Sequence, residues 1–266
     1  MEHPPIIRPF SKREFDDLAV AKSLLENSSL AIRLANSLGS PLEKGFAMLP
    51  KGWNDTVHKA TRGALMKALS VAVATLGKSK RRKSRELFHK VLAGTSGGIG
   101  GAFGLAAMPI ELPISTTIIL RSIAEIARSE GHDLMQIETK LACLEVFALG
   151  GKGADNSYWI TRAAMSQAMS DASAYLAQKG IVREGVPAIT RLVNAIASRF
   201  GVVVSEELAA KAVPVIGAAS GGIVNVMFIS HFQEMARGHF IIKRLEGIHG
   251  PEQVRYAYDN LQDAKT

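Results

Sequence analysis

The residues most able to do chemistry lie in two stretches. His231 and Glu234 sit three apart within SHFQEMARGHF. Buried carboxylate centres in bundles pair a Glu and a His at that spacing on two helices and add two further glutamates. Here the pair occurs once and in reverse order, so a metal is not expected. His231 and Glu234 are its only candidates, with Glu111, Glu125 and Glu145 as completing carboxylates on neighbouring helices. The ordinary alternative is an intrahelical contact or a surface ion pair. Asn225, Phe232 and His239 are each seven apart and share one helix face with Met235 and Ala236. That points Asn225 and His239 toward the core, where a histidine is hydrogen-bonded. In the other stretch, PIELPISTTIILRSIAEIA, Thr117, Arg121 and Glu125 follow at intervals of four, so Arg121 and Glu125 can pair. Glu111 lies between two prolines, and Pro113 disfavours helical geometry at Leu112. A helix break is therefore expected there, with the Glu111 carboxylate near the free donors of a new helix.

Other patterns are excluded. GTSGGIGG (94–101) lacks the Lys-Ser/Thr ending of a phosphate loop and follows a basic segment instead of a strand. The third glycine of a dinucleotide fingerprint is replaced by Phe103. GGKG (150–153) follows a helix and reads as its glycine cap. No serine sits in a nucleophile elbow, and Cys143 lacks a partner histidine nearby. No cofactor is expected.

The elements that must position these residues are helices. A Ser11–Glu14 capping box opens an apolar-periodic run from Leu18 to Leu38, ended by Gly39, Ser40 and Pro41. Trp53 to Leu76 forms a second stripe, closed by Gly77. Helices are expected through STTIILRSIAEIARSEG, over 134–149, 157–179, 187–200, 203–212, 216–246 and 251–262. VVVS (202–205) is the best strand candidate and is too short to build a sheet. The fold expected is all-α: one bundle-like domain of about eight to ten helices, with residues 1–50 as a helical lead-in and 51–266 as the main domain. Two apolar segments, 102–120 and 212–230, have mean hydropathies of about 1.6 and 1.7, near the threshold for spanning a bilayer. They are expected either as two central Gly-rich helices, in contact through Gly97, Gly101, Gly217 and Gly221, or as segments that insert in or dock on the membrane.

The 266 residues carry a net charge of +8. Residues 78–90, KSKRRKSRELFHK, hold seven Lys or Arg and one Glu, so nearly all the excess is local. Lys80, Arg81, Arg82, Lys83 and Arg85 form a candidate surface for anionic lipid. Nucleic acid is not expected, because stacking aromatics do not interleave with the basic run. MEHPPIIRPF lacks the charged and apolar regions of a secretory signal, and a single thiol suits a reducing compartment. The expected location is cytoplasmic, peripheral at the inner membrane.

PIELPISTTIILRSIAEIA with CLEVFALGG, and PVIGAASGGIVNVMFISHFQEMARGHFIIKRLEGIHG, resemble the EcsC protein family. The positions that carry the resemblance are Glu111, Pro113, Thr116, Thr117, Arg121, Glu145, Asn225, His231, Phe232 and His239. The polar members are expected to form one cluster, with Glu111, Thr117 and Arg121 meeting Asn225 or His231. The family takes its name from a gene beside an ABC transporter operon in a Gram-positive bacterium. The resemblance implies a bacterial all-α protein associated with membrane or transport processes, and brings no catalytic role. The function expected is non-enzymatic: binding of anionic lipid or an apolar ligand, with a membrane transport protein as a candidate partner. The alternative is a metal-dependent hydrolase using Glu111, Glu145, His231 and Glu234.

Overall fold

A computed structural model describes residues 9–26, 30–38, 42–77, 104–151, 157–212 and 221–261. Among these, ten α-helices and one 3₁₀ turn carry the fold, and no strand occurs. The helices are α1 (Lys12–Glu26), α2 (Leu30–Leu38), α3 (Leu42–Met48), α4 (Trp53–Thr75), α5 (Gly104–Ser129), α6 (Ile137–Glu145), α7 (Tyr158–Lys179), α8 (Pro187–Ala212), α9 (Gly221–His249) and α10 (Pro251–Asn260). The 3₁₀ turn, Val146–Ala148, extends α6.

The capping box forms as read. The backbone N–H of Ser11 donates to Glu14 Oε2 at 2.7 Å, and the Glu14 N–H donates to Ser11 Oγ at 3.3 Å. Together they satisfy donors that a helix start leaves without partners. α4 buries Ala60, Ala64, Ala68 and Ala72 with Leu65 and Leu69 and packs on α5, α6 and α8. Gly77, at φ +87°, turns the chain after it.

Three expectations about helix limits are corrected. First, no break occurs at PIELP: α5 runs through both Pro109 and Pro113. The missing N–H groups cost two backbone bonds. Nearby carbonyls gain side-chain donors instead, since Ser115 Oγ donates to the Glu111 carbonyl (2.8 Å) and Thr117 Oγ1 to that of Pro113 (2.7 Å). Glu111 is thus an intrahelical residue and not a cap. Second, 187–200 and 203–212 are one helix. Gly201 has helical geometry, and a Cβ there would meet Thr61 and Val57 at ordinary contact distance. Third, the strand candidate lies within that helix, with Val203 and Val204 in the core.

α8 packs against α2, α3, α4, α5, α7, α9 and the 3₁₀ turn. By length and composition it is also the one helix among the described residues able to cross a membrane, and 44% of its most apolar window is buried. A helix surrounded in this way is apolar because it is core. α5 and α9 pack on each other, and α9 also takes α1, α2 and α10. Phe147, Phe200, Phe228 and Phe232 meet where the 3₁₀ turn, α8 and α9 converge, with centroids 5.0–5.6 Å apart for the contacts centred on Phe147 and Phe232. Each tilted or edge-on pair adds roughly 0.5–1.5 kcal/mol beyond area burial. Phe232 is therefore a keystone of the core. Glycines 97, 101 and 217 lie outside the described residues, and Gly221 opens α9. The close approaches seen are elsewhere: Gly45 against the Ala209 backbone, and Gly238 against Leu25 and Ala21. The basic segment 78–90 lies outside the described residues.

Candidate functional site

The end of α6, the start of α7 and the middle of α9 bring five polar side chains together out of water. Glu145, the last residue of α6, is 5% exposed. His239 of α9 is fully buried, with Nε2 3.5 Å from Glu145 Oε2 and Nδ1 3.1 Å from the Tyr158 hydroxyl. Arg162, one turn after Tyr158 on α7, donates to both Glu246 oxygens at 2.6 and 3.0 Å. It also donates to the Tyr158 hydroxyl at 3.3 Å and stands 4.0 Å from Glu145. Its guanidinium covers the rings of Tyr158 and Trp159. Glu246 follows His239 by seven residues, so one face of α9 supplies both.

Burial dominates the electrostatics. It pushes Glu145 above the ordinary carboxylate value, while Arg162 and Lys243 pull the other way. It pushes His239 well below the ordinary imidazole value, with Arg162 and Lys243 adding repulsion. Tyr158 is likewise raised well above a free phenol. A neutral imidazole thus links a phenol and a carboxylate, and a bidentate ion pair closes the array. This arrangement ties α6, α7 and α9 together.

The other residues expected in the cluster lie apart from it. His231 is buried and bonds the Leu149 backbone, with its Nε2 against Gly150 and without a hydrogen-bond partner. Burial lowers it to about 4, assisted by the charge of Arg33. Glu234 pairs instead with Arg33 of α2. Thr116 is buried within α5, and Thr117 bonds its own helix. Glu111 is half-buried, within electrostatic reach of Lys211 on α8. Asn225 is half-buried on α9, and Arg121 is exposed on α5. Glu111, Glu145, His231 and Glu234 therefore do not converge, and no three metal-ligating side chains do so among the described residues.

Between α1, α5 and α9 lies an open polar groove of about 600 Å3, lined by Ser122, Glu125, Ser230, Gln233, Glu234 and Arg237 among others. Gln233 donates to Ser122 across it at 2.8 Å. The groove follows the seam of the two helices that carry the sequence resemblance.

Sequence reasoning missed Tyr158, Arg162 and Glu246. The signals were available: Tyr158 and Arg162 are four apart, and Glu246 extends the His239 face by two turns.

Helices, a polar array locked inside them and a seam between α5 and α9 define an all-α bundle protein. The chain belongs to the EcsC protein family, whose family model matches residues 18–245. No curated protein and no solved structure matches it.

Proposed function

We propose that this is a non-enzymatic protein of the membrane surface, held at the cytoplasmic face by anionic lipid. The observation that carries this reading is the concentration of charge: seven of the 32 basic residues fall within 78–90, a net of +6 against +8 for the whole chain. That segment joins α4 to the Gly-rich run before α5. Each Lys or Arg near an anionic leaflet contributes about 1 kcal/mol. A few engaged side chains give reversible attachment, and a second, apolar contribution makes it durable. A membrane transport protein is a fitting partner for a chain so placed.

The metal-dependent hydrolase reading has no observation in its favour, because its four residues point to four different partners or surroundings. The Glu145–His239 array is sealed among buried side chains.

The test replaces Lys80, Arg81, Arg82 and Lys83 by Gln and measures cosedimentation with phosphatidylcholine vesicles of rising phosphatidylglycerol content. Binding is expected to rise with anionic lipid and fall with salt. Four lost charges lower the partition coefficient by up to about three orders of magnitude. Equal binding of wild type and variant, or equal binding to neutral vesicles, refutes the reading.

A further inference from the structure

The first half of α5 exposes apolar side chains. Ile110 is 73% exposed and Ile114 49%. Pro109 is exposed beside them, and Pro113 is half-buried. Positions 109, 110, 113 and 114 occupy one face of the helix, while Met108, Leu112, Thr116 and Ile119, on the other side, are buried. Along the line of Ile114, seven residues on and about 10 Å along the axis, stands the exposed cation Arg121. Glu111, a quarter-turn or so from Ile110, lies within electrostatic reach of Lys211, which pairs with Glu207. The face is thus apolar at one end, while the exposed side chains of Arg121, Glu125 and Arg128 give the other a net of one positive charge.

We infer that this face of α5 is the element that enters the bilayer interface, with Ile110 and Ile114 at the acyl boundary and Arg121 among the lipid phosphates. The occupant is an anionic bilayer surface, because the order of chemistry along the helix matches its order across an interface. Apolar residues with a cation on the same face are what shallow insertion requires. The inference rests on the membrane-surface reading, and it assigns the apolar contribution to a part of the molecule distinct from the basic segment. It also gives Arg121 a role that the buried array does not.

Two measurements on the full chain test it. In the first, Ile110→Cys is labelled with an environment-sensitive fluorophore; Cys143 is buried and leaves the new thiol as the accessible one. With phosphatidylcholine–phosphatidylglycerol vesicles the emission shifts to the blue and is quenched by lipids brominated on the acyl chain. In the second, Ile110→Ser with Ile114→Ser leaves the circular dichroism spectrum unchanged and lowers binding at raised salt by about tenfold or more. If the variant with four glutamines still binds and the label still shifts, the α5 inference stands and the basic segment is not the attachment. Bound protein whose label does not shift overturns the inference while the basic-segment reading survives. No vesicle binding by wild type overturns both. Vesicle binding that persists in the double serine variant while a dimer becomes monomeric also overturns it, making this face a contact between copies of the chain.

Discussion

Arg162 is expected to be the most sensitive surface-to-core cation in the molecule, and Arg162→Met exposes why. Its guanidinium makes two short bonds to Glu246 and stands beside Glu145, whose side chain is 6% exposed. Removing it leaves two carboxylates poorly solvated and close to each other. Breaking a buried pair from one side costs about 3–5 kcal/mol. For a chain of this size 1 kcal/mol moves the melting temperature by roughly 2–4 °C, so a fall of about 6–20 °C is expected by thermal circular dichroism at neutral pH. The loss depends on pH with a definite sign. Glu145 already has a raised folded value, and a raised carboxyl contributes stability below its unfolded value that disappears as pH rises through the folded one. Without Arg162 that value rises further, so wild type and variant converge as pH falls. The double variant Arg162→Met with Glu246→Met removes both charges of the closest pair and recovers most of the stability. A fall below about 3 °C in the single variant, or a double variant no better than the single, refutes the account.

His231, lowered to about 4 by burial, contributes stability above its unfolded value of 6.5 that is lost as pH falls through 4. One proton across that window corresponds to about 3 kcal/mol, and His231→Gln is expected to flatten that part of a urea-denaturation pH series. An unchanged slope counts against it. Ser11→Ala removes the hydroxyl arm of the capping box and lowers the urea midpoint by an amount equivalent to about 1 kcal/mol. It brings Glu14 part of the way up from about 2, because the backbone N–H of residue 11 still donates to it, so that share of the variant's deficit is present above pH 4.5 and shrinks as pH falls toward 2. Gly238→Ala places a Cβ 2.6 Å from Leu25 Cγ and 3.1 Å from the Ala21 carbonyl, and is expected to destabilise by about 1–3 kcal/mol. Gly247→Ala, on the same helix with open space around it, is expected to stabilise by about 0.5–1 kcal/mol; matching effects at the two sites would refute the packing argument.

Helical periodicity, caps and closing glycines were legible because each depends on residues close in sequence. The Ser11–Glu14 box and the Val57–Ala72 stripe follow from local rules. The continuity of α5 through its prolines was not legible, because local rules disfavour Leu112 in a helix and say nothing of the packing that overrides them. Leu112, Ile119 and Ile123 are buried together, and that burial outweighs two absent backbone bonds. The same limit hid the partners of the motif residues. His231 and Glu234 share a helix face, yet the elements packed there differ one turn apart, so His231 meets Leu149 and Glu234 meets Arg33. Glu145 and His239 were both singled out, but their meeting required α6 to end beside the middle of α9, and no spacing within either segment encodes that. Among the described residues, Gly45 and Gly238 allow close approaches that no local spacing signals, because their neighbours come from distant helices.

The distribution of the motif residues between interior and surface separates what they do. Glu145, His231, Phe232 and His239 are each held by a partner or by the aromatic core, and every one of them joins α9 to another element. Their identities are accounted for by assembly of the bundle. A bulky aliphatic residue in place of His239 would leave the Tyr158 hydroxyl to Arg162 alone, and one in place of Glu145 would leave Glu246 as the one carboxylate facing Arg162. Arg121 differs. It is exposed, and no ion pair or hydrogen bond holds its guanidinium among the described residues. The fold gains nothing from a guanidinium at that position over any other polar side chain. On the membrane-surface proposal, an anionic bilayer would meet this cation and the two exposed isoleucines in the order in which α5 presents them.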